Sequence, residues 1–238
     1  MYLAFDTETS GLHQDSQVLT AFFIVLDSEF NEIDSLDLKI KYPVYSIQLK
    51  AFEINNIDLN KHEKESISFF DAKIKLNTFL LKNLKITKKN KFIPLGHNVK
   101  FDIGKINKFG ISDHLNNVFN IDTLQIAKFF KACGKLQDIQ SLSLKNVTEY
   151  FNIQPKGQLH TAECDIRLTI DLLKHFKTMI NVTDNPRVQN VSAQTTTENE
   201  NSQEILQVVD ILLNIKKRKE QYEPNDRILR KRKIIKYY

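Results

Sequence analysis

Apolar and polar positions follow two rhythms along this chain. Tyr2-Leu3-Ala4-Phe5 is a short apolar run ending in acids, Val18 to Leu26 is β-branched and aromatic almost throughout, and Glu32 to Ile40 alternates apolar with polar. Each run predicts a strand. The polar links between them, Ser10 to Gln17 and Asp27 to Asn31, are short enough for an antiparallel meander. From Ser68 to Leu84 the spacing becomes helical, with Phe69, Phe70, Ile74, Leu76, Leu80, Leu81 and Leu84 in step. A fourth strand is expected from Phe92 to Leu95, running into Gly96-His97-Asn98, with a helix from Lys100 to Phe109. Asp122 is placed to cap a helix reaching Ala132, and Ser143 another reaching Phe151. The last strong helix begins near Thr161, where Ala162, Ile166, Ile170, Leu173 and Phe176 form one apolar stripe. Strands followed by alternating strand and helix predict an α/β fold.

The pattern stops after the last helix, which sets the expected boundaries: a folded domain over 1–178, a flexible polar linker over 179–204, and a short amphipathic helix with a basic tail over 205–238. Asn181 to Glu204 contains no aromatic residue and no lysine, too little apolar surface to offset the entropy of ordering. Beyond it Ile205, Leu206, Val208, Val209, Leu212 and Leu213 are spaced for a helix. No internal repeats are evident.

Composition narrows the class. With 238 residues, 41% hydrophobic and 26% charged, the chain has enough apolar side chains for a sizeable core. The longest apolar run, Ala21 to Leu26, is far below the ~20 residues of a membrane helix. Met1 to Asp6 has no basic stretch and meets an acid at once, so no secretory signal is expected. Only two cysteines, Cys133 and Cys164, exclude a disulfide scaffold, and a reduced, cytoplasmic protein without membrane partners is the expectation. The net charge of +5 hints at nucleic acid, but residues 216–238 hold ten basic and three acidic residues, so the remainder is slightly acidic.

Three places carry acids that folding alone does not require. Asp6-Thr7-Glu8 closes the first strand, where residues two apart face one side and both carboxylates enter one space. Such repulsion is costly unless a cation intervenes, and hard divalent ions take oxygen ligands of this kind. Gly96-His97-Asn98-Val99-Lys100-Phe101-Asp102 puts an acid on the first turn of a helix. His160-Thr161-Ala162-Glu163-Cys164-Asp165 puts another beside the apolar stripe, after a loop histidine.

In order and spacing these motifs resemble the DEDDh 3′→5′ exonucleases of the RNase H-like superfamily, which include the proofreading subunit of bacterial replicative polymerases and RNase T. Asp6-Thr7-Glu8-Thr9-Ser10-Gly11-Leu12 is similar to the first motif, His97-Asn98-Val99-Lys100-Phe101-Asp102 to the second, and His160-x4-Asp165 to the third in its histidine form. The resemblance spans residues 1–178. It implies an RNase H-like mixed sheet, antiparallel in its first three strands and then parallel, flanked by helices. It further implies that Asp6, Glu8, Asp102 and Asp165 hold two divalent ions, Mg²⁺ or Mn²⁺, with Asp6 bridging and Glu8 and Asp165 on the catalytic one. His160 is then the base that deprotonates the attacking water, a task suited to a side chain that changes charge near neutral pH. Thr7, Gly11 and Leu12 would line the pocket of the 3′-terminal nucleotide, with Gly11 permitting close approach and Leu12 wedging against the terminal base. His97, Asn98 and Phe101 are further substrate-binding candidates, Phe101 being equally suited to the core. Asp122 and Asp171 read as a helix cap and a solvated helix position.

The expected activity is release of nucleoside 5′-monophosphates from single-stranded or frayed 3′ ends, with DNA preferred in a replication or repair setting and RNA trimming as the alternative. A reading of another class is a catalytically idle nucleic-acid-binding or polymerase-assembly subunit. The basic tail is expected to dock on nucleic acid or a DNA polymerase, or to serve only solubility.

Overall fold

The computed structural model describes residues 1–183 apart from 14, 49, 50, 52, 54 and 56. The expected linker beyond Thr183, the amphipathic segment and the basic tail lie outside the described residues.

Strands β1 (Tyr2–Thr9), β2 (Val18–Leu26) and β3 (Glu32–Lys41) form the expected antiparallel meander. A two-residue strand β4 (Ile67–Ser68) then pairs parallel with the end of β3, β5 (Ile93–Gly96) pairs parallel with β1, and β6 (Ile121–Asp122) pairs parallel with β5. The strand order is β4-β3-β2-β1-β5-β6, a mixed sheet of the expected kind. Flanking it are α1 (Leu59–Glu65), α2 (Phe69–Thr87), α3 (Val99–Ile106), α4 (Thr123–Ala132), α5 (Leu144–Tyr150) and α6 (Ala162–Thr183). The predicted helix over Lys100–Phe109 splits, its last three residues tightening into a 3₁₀ turn closed by Gly110 at φ 71°. Helix α6 runs to Thr183, past the boundary drawn at 178. Strands β4 and β6 went unpredicted because two residues carry no periodicity.

Caps work as read: Asp122 Oδ1 accepts from Leu124 N at 3.0 Å, and Ser143 Oγ accepts from Asn146 N at 3.4 Å. Burial follows the strand alternation. On one face Leu3, Phe5, Phe23, Leu36 and Leu38 pack against α2 and α3; on the other Ala4, Phe22, Ile24 and Leu26 pack against Ala162, Ile166, Ile170 and Leu173 of α6. The α6 stripe ends at Phe176, which joins α4 and α5 in a third cluster with Phe130 and Val147. On α2, however, Phe70, Ile74 and Leu81 face solvent although they kept the helical spacing; the core takes Ala72, Leu76, Leu80 and Leu84 instead. Among the described residues no helix is long and apolar enough to cross a membrane.

Candidate active site

The site forms where β1 outlasts its neighbour. Strand β5 pairs with β1 only over Tyr2–Ala4, while β2 continues alongside β1 as far as Thr9. One edge of Asp6-Thr7-Glu8 therefore opens into a crevice at the carboxyl ends of the parallel strands, the usual ligand position in such sheets. The pairing register with β2 shifts by one residue between Glu8 and Thr9.

Asp6 and Glu8 share the face covered by α6, and that helix brings Asp165 in on its first turn. One oxygen from each of Asp6, Glu8 and Asp165 lies within 4.8 Å of the others. Asp102 arrives from α3, on the opposite face of the sheet. It is 4% exposed, and its Oδ1 accepts from Thr7 N at 3.1 Å and from Thr7 Oγ1 at 2.6 Å. His160 is exposed, with φ at 64°, and its backbone N donates to Asp165 Oδ1 at 3.3 Å.

Burial pushes all four acids above the ordinary carboxyl range. Glu8 is pushed up to about 8 by burial, then by the charges of Asp165 and Asp102. Asp102 rises to about 7, burial outweighing the two hydrogen bonds from Thr7. Asp6 stands well above its usual value through burial and then the charges of Asp102, Glu8 and Asp165. Asp165 is raised by burial, against the pull of the His160 backbone N–H. A cluster that resists holding its own charge is one that a cation relieves. The facing donors are carboxylate oxygens without thiolate, a set that suits a hard divalent ion such as Mg²⁺ or Mn²⁺.

The loop after β1 is braced on several sides. Leu12 N donates to Gln48 Oε1 at 3.1 Å, Gln48 N to Ser10 O at 2.8 Å, and Asn55 Nδ2 to Thr9 O at 3.0 Å. From α3, the Lys105 ammonium bonds His13 O, and Lys108 Nζ, just beyond the helix, bonds Ser16 O at 3.2 Å. Leu12 itself stands 73% exposed. A Cβ at Gly11 would lie 2.5 Å from Gln48 Cδ, so a side chain there would displace the amide that accepts from Leu12 N.

The remaining candidates are tied elsewhere. His97 Nδ1 lies 2.9 Å from Thr123 Oγ1, and Nε2 donates to Leu142 O at 3.0 Å, which latches the segment before α5 to the end of β5. Burial holds this imidazole below its ordinary pKa. Asn98 takes a left-handed conformation, φ 64°, at the start of α3, and its N donates to Asp122 Oδ1 at 2.8 Å. Asp122 thus joins the starts of two helices, a role beyond the expected cap. Phe101 is half-buried beneath the Lys105 ammonium, 4.8 Å from its ring centroid. Asp171 is paired with Lys156 at 3.0 Å. Sequence reasoning missed Gln48, Asn55 and Lys105, whose partners are 36 to 92 residues away and leave no local signal.

No protein-family model matches the sequence, and no curated protein sequence matches it either. Solved structures similar to this fold include those of exonuclease I. The Escherichia coli enzyme in complex with a dT13 oligonucleotide aligns at a TM-score of 0.60 and 21% identity, over 77% of this chain and 43% of that one. A zinc-bound form of the E. coli enzyme with single-stranded DNA aligns at 0.59 and 20%, over 77% and 43%. A complex of exonuclease I with SSB-Ct aligns at 0.56 and 18%, over 77% and 44%. The chain thus spans less than half the length of the proteins it matches, and the likeness is one of fold.

Proposed function

We propose that this chain is a metal-dependent 3′→5′ exonuclease that removes nucleoside 5′-monophosphates from single-stranded DNA ends. The observation that carries the reading is the convergence of Asp6, Glu8 and Asp165 oxygens within 4.8 Å, from elements far apart in sequence, with Asp102 bonded to Thr7, the residue between Asp6 and Glu8. The DNA-bound exonuclease I structures of the same fold favour DNA as the substrate.

Asp6, Glu8, Asp102 and Asp165 would hold two divalent ions, Mg²⁺ or Mn²⁺, with Asp6 shared. When bound, the ions stabilise the attacking and leaving oxygens of an in-line displacement. His160 takes the proton of the attacking water; its ring is exposed, and its backbone N is tied to Asp165. Leu12 separates the terminal base from the next, and the brace from Gln48 keeps it in place.

The test is release of mononucleotides from a 5′-labelled single strand in Mg²⁺ or Mn²⁺, run on matched DNA and RNA. Shortening from the 3′ end that stops with chelator and with Asp6→Ala is expected. An Asp6→Ala protein that degrades as fast as wild type overturns the assignment, and faster turnover of RNA moves the substrate.

A further inference from the structure

Thr7 stands between two metal-binding carboxylates in sequence but points the other way. Strand alternation turns Asp6 and Glu8 towards α6 and Thr7 towards α3. Its backbone N–H lies beyond the last residue of β1 paired with β5, so β5 cannot satisfy it, and β2 is not its partner. A buried N–H left in this state carries the full cost of its lost hydration. Asp102 Oδ1 satisfies it at 3.1 Å and accepts a hydrogen bond from the Thr7 hydroxyl at 2.6 Å as well. The hydroxyl has one donor, already engaged with Asp102, and Thr7 is 7% exposed.

We propose that Thr7 is a positioning residue for Asp102: by engaging Oδ1 twice it fixes the carboxylate and leaves Oδ2 as the single oxygen serving the metal site. This rests on the exonuclease reading, since it gives Asp102 its metal. It explains how an acid from the opposite face of the sheet is held against β1 between Asp6 and Glu8. A carboxylate held at one oxygen cannot rotate both away from the site, and such supporting hydrogen bonds commonly govern metal affinity.

The experiment is Mn²⁺ binding to the full chain without nucleic acid, measured by titration calorimetry, alongside the oligonucleotide rate. Variants are Thr7→Val, Thr7→Ser and Thr7→Ala, the last removing the hydroxyl without filling the space. Thr7→Val and Thr7→Ala should each weaken Mn²⁺ binding about 10–100-fold and lower turnover with it, and Thr7→Ser should restore both. Wild-type Mn²⁺ affinity in the hydroxyl-free variants overturns the positioning role while leaving the exonuclease reading intact. Absence of Mn²⁺ binding by the wild-type chain overturns both.

Discussion

Within β1, Tyr2–Ala4 lies between two paired strands, whereas Asp6–Thr9 is paired to β2 alone. The first half places apolar side chains into cores on both faces; the second places carboxylates on one face and a hydroxyl on the other. Backbone and partner strand continue through both halves. The neighbouring strand is what differs, and where it stops the chain exchanges stability for chemistry: each acid is raised by burial that an apolar residue would welcome.

That contrast is open to attack by substitution. The largest effects should separate the halves. Phe5, 1% exposed and packed against Phe23, should cost about 3–5 kcal/mol as Phe5→Ala, read as a lower denaturation midpoint. Asp6→Asn should instead raise the melting temperature of the metal-free protein above pH 7 while lowering turnover by about 10³-fold or more. If Asp6→Asn melts well below wild type, the second half of β1 is holding the fold like the first.

Next in size is the pH dependence. Folded Glu8 and Asp102 bind protons up to about 8 and about 7, and Asp6 and Asp165 are raised too, whereas the unfolded chain releases them in the ordinary carboxyl range. The folded state therefore holds more protons between these limits, and metal-free stability should fall as pH rises through that window. Mg²⁺ should cancel the fall. Melting curves in chelator and in Mg²⁺ from pH 5 to 8 test this, and parallel curves would refute it.

The smallest effect concerns the crevice's support. Asp122→Ala removes the cap of α4 and the partner of Asn98 N, and should cost about 1–2 kcal/mol with a modest loss of turnover, because α3 carries Asp102. A variant with unchanged midpoint and rate would make this bridge idle.

The four longer strands, the main helices and their caps were legible because each is written in local spacing. The acids were legible too, as Asp6 and Glu8 sit two apart on a strand and His160 and Asp165 flank one helix start. Exposure on α2 was not, since Phe70 and Leu81 keep the helical rhythm but lie outside the stripe that meets the sheet. The contacts of Thr7 with Asp102 and of Gly11 with Gln48 were not legible, since those partners lie far along the chain.

By itself the sequence determined the order of the longer elements and which carboxylates are available, because periodicity and spacing act over a few residues. Only the tertiary structure decided how they are held. Asp102 meets Thr7 across 95 residues, Gln48 meets Leu12 across 36, and Asp122 meets Asn98 across 24. A hydrogen bond between such partners depends on where β1 outruns β5 and which face each helix covers, and neither is encoded in any short stretch of chain.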